Sequence, residues 1–386
     1  MIKELTMAKQ SLTSNWEYGT LGDAVNKGSS NISLNKVKED DGEYQLYSAK
    51  GYNKNISFFH QEKEYLAIIK DGAGIGRVSK HPAKSSVVAT MQYLIPKEGF
   101  DIGFVQYFLN GIDFESHRQG STIPHVYFKD YKSEPFPLLP LTQQKQIVAI
   151  LDKAFAAIDT AKANAEQNLQ NAKKLFESYL QNVFSTKGDD WEKMTLGEIA
   201  IVKSGGTPSR ARKEFWDGNI AWYSSGELNN TYTTIPERHI NQLAIDNSTA
   251  KRFKKGSLLI GMYDTAALKM SILDREGAFN QAISGVLPNE NIDLQFILHS
   301  INSIKPEILS LRRGVRQKNL NLTKIKNIPI YLPPIKQQIK IVQKLDALSA
   351  ECEKLEAIYT QKIADLDEMK KSVLQKAFSG QLNTIN

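Results

Sequence analysis

The stretch Gln143-Gln144-Lys145-Gln146-Ile147-Val148-Ala149-Ile150-Leu151-Asp152 decides the fold, because its pattern occurs a second time in the chain. The pattern Gln-Gln-x-x-Ile-Val-x-x-Leu-Asp returns 194 residues later, at residues 337–346. Leu180-Gln181-x-x-Phe184-Ser185 returns at the same offset, at residues 374–379. Blocks that recur in one order at one offset indicate an internal duplication.

The beginning of each half carries another repeated block. Trp16-Glu17-Tyr18-Gly19-Thr20-Leu21-Gly22-Asp23 is matched by Trp191-Glu192-Lys193-Met194-Thr195-Leu196-Gly197-Glu198, at an offset of 175 residues. The two offsets differ because the second copy is longer by 19 residues. The extra residues lie in the part of the second half that corresponds to about residues 24–120 of the first. The two halves therefore share a plan, while their middle parts differ.

Each half places a globular stretch before a long segment that contains no proline and no glycine until Gly380, at the end of the second segment. The long segments are rich in Ala, Leu, Lys, Gln and Glu, which are strong helix formers. Prolines precede both segments, as expected where a helix has not yet begun. We therefore predict globular domains at residues 1–140 and 188–334, long helices at residues 141–187 and 335–380, and a tail at residues 381–386.

Apolar residues in the long segments recur every three or four positions, as in a coiled coil. The predicted seam of the first helix includes Ile147, Leu151, Ile158, Leu169 and Phe176, and that of the second includes Ile341, Leu345, Cys352, Leu355, Ile363, Leu366 and Val373. Lys370 departs from the apolar pattern, with apolar Met369 beside it. The alternative is that each helix packs separately on its own globular neighbour.

The fold class predicted from these patterns is α+β. Two globular α/β domains are joined by two long helices that pair with each other in a coiled coil, and the two halves form an internal repeat. In this arrangement the single cysteine, Cys352, is a small apolar residue of the seam rather than a nucleophile.

Composition excludes several classes of protein. The chain of 386 residues is 41% hydrophobic and 24% charged, which is compatible with packed cores and not with wholesale disorder. One cysteine allows neither an internal disulfide nor a multi-cysteine zinc site. We expect no membrane span, no secretion signal and a cytoplasmic location. The net charge of +7 favours an anionic partner.

Two glycine-centred polar loops at equivalent repeat positions are candidate nucleic-acid contacts, since Arg and Lys suit guanine edges and Gln and Asn suit adenine edges. In the first half the candidates are His117, Arg118, Gln119, Ser121, Thr122 and His125. In the second half they are Ser204, Thr207, Ser209 and Arg210 of a loop that could approach phosphate, and Arg312, Arg313, Arg316, Gln317, Lys318 and Asn319. The alternative is an ordinary solvated surface.

Signals for catalysis are weak. The glycine-rich stretch Asp71-Gly72-Ala73-Gly74-Ile75-Gly76 is neither a dinucleotide fingerprint nor a P-loop, and we interpret it as a turn beside a strand. The chain has no H-E-x-x-H and no G-x-S-x-G motif. The sequence therefore favours recognition over catalysis.

The features described so far resemble the specificity subunit of type I restriction–modification systems, over nearly the whole chain. The resemblance rests on the paired openings, the Gln-Gln helix starts that follow prolines, the paired Phe-Ser endings, Gly205-Gly206-Thr207-Pro208-Ser209-Arg210 followed by Phe215-Trp216 and Ile220-Ala221-Trp222, and Phe279-Asn280-Gln281-Ala282. The first half departs from this pattern. It lacks the Gly-Gly-Thr-Pro loop and has Ala89-Thr90-Met91-Gln92 where the second half has residues 279–282.

The resemblance implies two target recognition domains, each of which reads one half of a split site in double-stranded DNA. It implies that the two long helices form an antiparallel coiled coil that holds these domains apart, in a pseudo-two-fold internal repeat. It also implies two modification subunits that methylate adenine with S-adenosylmethionine, and restriction subunits that use ATP and Mg²⁺. On this interpretation the chain itself has no catalytic residue, metal or cofactor, and the coil sets the spacing between the half-sites and docks the modification subunits. The alternatives are a coiled-coil scaffold protein and a stand-alone methyltransferase or nuclease.

Overall fold

The computed structural model describes residues 16–310 and 320–381, in two compact units. Of the described residues, unit 1 contains 16–166 and 360–381, and unit 2 contains 167–310 and 320–359. Within the described ranges, every helix is too short or too polar to span a bilayer.

Unit 1 is built from short strands, short helices and the first part of a long helix. Its strands are β1 (Tyr18–Thr20), β2 (Val25–Ser29), β3 (Tyr44–Ser48), β4 (Gly51–Ile56), β5 (Tyr65–Ile69), β6 (Val78–His81), β7 (Ser85–Val87), β8 (Met91–Pro96) and β9 (Pro135–Pro137). Its helices are α1 (Leu21–Ala24), α2 (Ile102–Asn110), α3 (Phe128–Tyr131) and α4 (Leu141–Ser185), which continues into unit 2. A short 3₁₀ turn spans Phe114–His117.

The strands of unit 1 form three sheets. A four-stranded antiparallel sheet has the order β2-β8-β5-β6, and a three-stranded sheet has the order β4-β3-β7, in which β3 and β7 are parallel. Strand β1 pairs with β9. All of β5 is buried, because Leu66 and Ile68 pack towards α2 while Tyr65, Ala67 and Ile69 pack towards the three-stranded sheet.

Unit 2 contains the same kinds of element. Its strands are β10 (Glu192–Thr195), β11 (Val202–Ser204), β12 (Ile220–Tyr223), β13 (Arg238–Ile240), β14 (Leu258–Gly261), β15 (Met270–Ile272), β16 (Gly277–Phe279), β17 (Ile283–Val286) and β18 (Pro329–Leu332). Its helices are α5 (Leu196–Ile199), α6 (Gln242–Asp246), α7 (Leu294–Ser310), α8 (Leu322–Lys326) and α9 (Ile335–Phe378), which continues into unit 1. Short 3₁₀ turns lie at Lys213–Trp216, Ser225–Glu227 and Asp264–Ala266.

The strand order of unit 2 repeats that of unit 1. Its sheets have the orders β11-β17-β14-β15, β13-β12-β16 and β10-β18, and β12 and β16 are parallel, as β3 and β7 are. The internal duplication predicted from the sequence is therefore a duplication of topology. The repeated openings have a local reason as well: Thr20 with Asp23, and Thr195 with Glu198, form the same capping box at the start of α1 and α5.

The strand pairing corrects one detail of the sequence comparison. Tyr47 of β3 is paired with Val87, and Tyr223 of β12 is paired with Phe279. Residues 87–90, rather than Ala89-Thr90-Met91-Gln92, therefore lie where Phe279-Asn280-Gln281-Ala282 stands in unit 2. The sequence comparison was wrong by two residues, because no side-chain pattern in this stretch marks the register.

The second glutamine of each Gln-Gln pair joins a long helix to its globular neighbour. Gln144 is fully buried: its Oε1 accepts from the backbone N–H of Asp101 at 2.8 Å, and its Nε2 donates to the carbonyls of Gly99 and Leu139 at 3.0 and 2.8 Å. Gln338 in unit 2 makes the equivalent bonds to the N–H of Asp293 and the carbonyls of Asn291 and Pro333, at 2.8, 3.1 and 2.8 Å. These bonds explain why the motif recurs.

In unit 1, the first part of α4 and the last part of α9 run in opposite directions. Asp159 lies 2.5 Å from Lys370, and Lys162 lies 2.6 Å from Asp367, so that residue numbers rise along one helix as they fall along the other. Apolar packing has the same sense, since Ile147 and Leu151 share a core cluster with Leu374 and Ala377. These contacts show that the two helix segments form an antiparallel pair within unit 1.

In unit 2, the end of α4 and the beginning of α9 contribute to the same core. Leu180 and Phe184 share a core cluster with Val342 and Leu345. The seam residues predicted in both helices are buried or half-buried along their lengths: Ile147, Leu151, Ile158, Leu169 and Phe176 in α4, and Ile341, Leu345, Cys352, Leu355, Ile363, Leu366 and Val373 in α9. The fold class inferred from the sequence is confirmed.

Lys370 itself occupies the seam position that the apolar pattern left open. Its Nζ lies 2.5 Å from a carboxylate oxygen of Asp159 and 5.1 Å from the centre of the Phe155 ring. The neighbouring Met369 is 51% exposed. The long aliphatic stem of the lysine can cover apolar surface while its charge is paired, so no apolar substitute is needed.

Candidate nucleic-acid interface

The polar loop predicted in unit 1 is a closed turn on the surface. Gln119 and His125 exchange two backbone hydrogen bonds of 2.8 Å each. Gly120 has a φ of +81°, and a Cβ there would overlap the carbonyl oxygen of Ile123, so the turn requires glycine. Ser121 and Thr122 are exposed at its tip. The loop therefore presents two hydroxyls to solvent on a backbone of defined shape.

Asp71 anchors this loop to the sheet. Its Oδ1 lies 2.7 Å from Nδ1 of His125, and its Oδ2 lies 2.7 Å from Nζ of Lys70. Burial alone would raise the pKa of Asp71, but hydrogen bonds from Lys70 and His125 outweigh it and hold that pKa below its usual value. The glycine-rich stretch that begins at Asp71 forms the turn between β5 and β6, as the sequence indicated. Its Gly72 N–H donates to the carbonyl of Pro124 at 2.9 Å.

Several of the polar side chains predicted in this loop have partners within unit 1. The pairs are His117 with Glu134 at 3.1 Å, Arg118 with Glu115 at 3.3 Å, and Gln119 with Asp130 at 2.8 Å. The Arg118 side chain is nevertheless 40% exposed, so its guanidinium remains accessible from solvent. These contacts hold the loop in place, and Arg118, Gln119, Ser121 and Thr122 remain exposed to solvent.

An aromatic and basic pair beside the loop was missed in the sequence. The rings of His125 and Tyr127 stack at a centroid distance of 6.0 Å, and Lys129 Nζ lies 5.6 Å from the centre of the Tyr127 ring. Tyr127 is 40% exposed. Stacking faces with a neighbouring cation suit nucleic acid, because bases stack on rings and phosphates attract cations. The alternation His-x-Tyr-x-Lys at residues 125–129 was the available signal.

In unit 2, the glycines of the loop after β11 serve close packing within the protein. A Cβ on Gly205 would overlap the carbonyl oxygen of Phe279, and one on Gly206 would overlap the backbone of Thr249. Packing against the chain's own backbone is thus sufficient to require these small residues, and a phosphate contact by the loop stays a prediction. The glycines bring the loop against the turn that follows β16, where Gly206 N–H donates to the carbonyl of Phe279 at 2.9 Å.

This loop forms one wall of a polar cleft with a volume of about 460 Å³. The cleft is lined by Thr207, Pro208, Arg210, Trp222, Ser224, Glu227, Glu237, Arg238, Asn280 and Gln281. Trp222 is buried and donates from Nε1 to the carbonyl of Gly206 at 3.1 Å, and the Trp216 ring meets it edge-on at 5.0 Å. The Arg238 guanidinium lies 5.8 Å from the centre of the Trp216 ring.

The candidate residues predicted in the second half differ in their positions relative to this cleft. Thr207 and Arg210 line the cleft, Ser209 is exposed beside it, and Ser204 is half-buried at the end of β11. The predicted basic loop lies outside the described residues; it comprises Arg312, Arg313, Arg316, Gln317, Lys318 and Asn319. Asn280, Gln281 and Arg238 also line the cleft but are not among the residues predicted from the sequence; the motif at residues 279–282 is the signal for the first two.

The cleft carries both signs of charge. Glu227 is held by backbone donors, since its Oε2 accepts from Ser224 N–H at 2.6 Å and its Oε1 from Glu237 N–H at 3.0 Å. Among the residues that the structure describes, neither Arg210 nor Arg238 has a carboxylate within ion-pair distance. In the same residues, no cluster of His, Cys, Asp and Glu suits a metal ion. The amide, hydroxyl and guanidinium groups of this lining can donate and accept hydrogen bonds, as recognition of a polar ligand requires.

Two copies of one topology, each with an accessible polar surface, define a binding protein with two modules. The family model described as the type I restriction modification DNA specificity domain matches residues 13–171 and 188–364. The chain therefore belongs to the family of type I restriction–modification DNA specificity proteins.

Individual relatives agree with this assignment. The chain is 31% identical over 260 residues to the specificity subunit of the type I restriction enzyme EcoR124I/EcoR124II of Escherichia coli, a match that covers 63% of this chain and 62% of that relative. It is 24% identical over 305 residues to the MjaVIII specificity subunit of Methanocaldococcus jannaschii, covering 70% of this chain and 68% of that one. The match thus spans about three fifths of the length of the E. coli subunit.

Solved structures share the fold. A chain from a study of assembly and conformational transition of the type I R-M system aligns with a TM-score of 0.75 and 15% identity, over 96% of this chain and 100% of that one. The HsdS subunit of Thermoanaerobacter tengcongensis aligns with a TM-score of 0.65 and 14% identity, over 96% and 98%.

Proposed function

We propose that this chain is the sequence-reading subunit of a type I restriction–modification complex, and that each unit reads one half of a bipartite site in double-stranded DNA. The observation that carries the proposal is that the two units share one strand order while their accessible polar groups differ. A duplicated fold accounts for two modules that approach one ligand in the same way. Different surface residues account for two different half-sites.

The parts of the chain have separate roles in this proposal. Residues 1–140 and 188–334 are the target recognition domains, and the helices at residues 141–187 and 335–380 set their spacing and dock two modification subunits. Those subunits would methylate adenine with S-adenosylmethionine, and restriction subunits would act with ATP and Mg²⁺. The chain itself would bind DNA without catalysing a reaction and without a cofactor, in the cytoplasm.

Selection from a pool of random DNA duplexes tests the proposal. The purified full chain, alone and with its modification subunits, is incubated with the pool at low salt, and the bound duplexes are sequenced. We expect two short conserved blocks separated by an unread spacer of fixed length. We also expect affinity to fall as salt is raised, because phosphate contacts release counterions. Replacing residues 1–140 with those of a relative should change one block only.

Two outcomes would contradict the proposal. A chain that binds no DNA at low salt, even with its partners, would point to a coiled-coil scaffold that docks other proteins. DNA methylation by the purified chain and S-adenosylmethionine, without a second protein, would show a catalytic activity that the proposal denies.

A further inference from the structure

Two residues that lie far apart in the sequence meet across the cleft of unit 2. The hydroxyl of Thr207, in the loop after β11, donates a hydrogen bond to Oε1 of Gln281, in the turn after β16. Both side chains line the cleft, and Gln281 is exposed. The bond fixes which end of the Gln281 amide faces the protein and which end faces outwards.

The turn that carries Gln281 is itself rigid. Asn280 Oδ1 accepts from the N–H of Ala282 at 3.0 Å, and the N–H of Asn280 donates to the carbonyl of Tyr223 at 3.0 Å. The N–H of Ile283 donates to the carbonyl of Asn280 at 3.2 Å. A side chain presented from such a turn loses little conformational freedom on binding, which favours discrimination between ligands of similar shape.

The Gln281 amide retains the hydrogen-bonding groups that an adenine edge requires. Among the described residues its NH₂ group has no hydrogen-bond partner, and Oε1 keeps one lone pair because Thr207 uses the other. One donor beside one acceptor matches adenine, which offers the N7 acceptor and the N6 amino donor in the major groove. Guanine offers two acceptors there, and so it cannot satisfy both groups.

Unit 1 has no equivalent of this pair. The strand pairing places Ile32 where unit 2 has Thr207, and Ala89 where it has Gln281. Ile32 is buried, and the only polar contact between these two positions is a backbone bond of 2.8 Å from Ala89 N–H to the Ile32 carbonyl within the described residues. The two units therefore differ in chemistry at one topological position.

We propose that Gln281 reads an adenine in the half-site of unit 2, with Thr207 as its positioning residue, and that unit 1 reads its own half-site without this contact. The proposal rests on the proposed function, because it needs a DNA ligand. It goes further by naming the base, the residue that contacts it and the residue that orients that contact.

Binding of single-base variants of the selected site to the full chain tests this. Gln281→Ala should reduce discrimination at one A·T pair of one half-site by roughly 5- to 150-fold, and leave the other positions unchanged. Gln281→Glu should lose the preference for adenine and gain one for cytosine, whose N4 amino group donates to a carboxylate. Thr207→Val should weaken discrimination at the same base pair, and Thr207→Ser should restore it, because serine keeps the hydroxyl.

Asn219→Ala is the matched control, since it removes an exposed carboxamide of the same unit outside the cleft. It should leave every base preference unchanged. Gln281→Asn, which shortens the side chain and keeps its polarity, provides a second variant that should lose discrimination at the same position.

The outcomes separate the two proposals. If the wild-type chain selects no site, the proposed function fails. If it selects a bipartite site and Gln281→Ala leaves every base preference unchanged, this inference is wrong and the proposed function stands. A uniform loss of affinity for all sequences in Gln281→Ala would also overturn the inference, because it would indicate a phosphate contact.

Discussion

His81 is buried in unit 1 among tyrosine rings. It is 5% exposed, its ring stacks on Tyr65 at 5.3 Å and approaches Tyr47 at 4.5 Å, and its Nε2 lies 2.8 Å from the hydroxyl of Ser79. Burial lowers the pKa of His81 from 6.5 to about 4. Burial also raises the pKa values of both tyrosines, whose phenol groups are uncharged at neutral pH even without this shift. The site thus favours an uncharged imidazole.

Acidification is therefore expected to destabilise unit 1. Between pH 6.5 and pH 4 the unfolded chain binds a proton at His81 that the folded chain does not, so the free energy of unfolding decreases as pH falls. From pH 7 to pH 5 the loss should be up to about 2 kcal/mol. Urea unfolding of the full chain at the two pH values measures it.

The variant His81→Phe keeps a ring in the core and removes the titrating group. It should lose less stability than the wild type over the same pH interval, whatever its absolute stability. An equal loss in both proteins would assign the pH dependence to other groups, among them His299, whose pKa is also lowered by burial.

At the scale of single elements, the long helices are attached to the globular parts by buried polar bonds. Gln144 links α4 to the start of α2, and Gln338 links α9 to the start of α7. Asp101 and Asp293 cap those short helices, accepting from the N–H groups of Phe104 and Phe296 at 3.0 and 3.1 Å. Each junction is therefore a set of mutually dependent hydrogen bonds rather than a simple apolar contact.

Removing one of these glutamines should loosen one junction and not the other. Gln144→Ala leaves an N–H and two carbonyls without their partner, at a cost of about 2–4 kcal/mol in unit 1. Hydrogen exchange of the full chain should then be faster at residues 99–110 and 139–151, while the equivalent segments of unit 2 are unchanged. Gln143→Ala is the control, because no side-chain hydrogen bond of Gln143 occurs in the described residues. Unchanged exchange in Gln144→Ala would show that the junction does not depend on these bonds.

The same elements show what could be predicted from the sequence. The long helices and their seam could be predicted from the spacing of apolar residues, which is a local feature of the sequence. A helix of this length must bury its apolar stripe. The buried role of Gln144, the use of Lys370 in the seam and the register of β7 could not be predicted, because each depends on a partner distant in the sequence. The same distinction between local patterns and contacts distant in the sequence applies to the candidate site. The polar loops at residues 117–125 and 204–210 could be predicted from composition, whereas the contact of Asp71 with His125 and that of Thr207 with Gln281 required the fold.

At the scale of the whole molecule, the proposed function assigns DNA reading to the two globular parts and half-site spacing to the two long helices. Each unit carries its own cores, its own polar surface and its own glutamine junction. The two helices α4 and α9 are the elements that belong to both units. A change of recognition residues should therefore leave the spacer of the DNA site unchanged, and a change of helix length should leave the half-site sequences unchanged.

Deleting one matched heptad from each helix tests that separation. Residues 158–164 of α4 and 365–371 of α9 face each other in unit 1, and their joint removal takes out both partners of both ion pairs between the helices. Seven residues correspond to about 10 Å of helix, or about three base pairs. DNA selected by the shortened chain should keep both half-sites and have a shorter unread spacer. Altered half-site sequences with an unchanged spacer would show that the helices do not determine the spacing.

A deletion of residues 158–164 alone is the control for the matched pair. It leaves Lys370 and Asp367 without partners, so it should destabilise the helix pair without defining a new spacer.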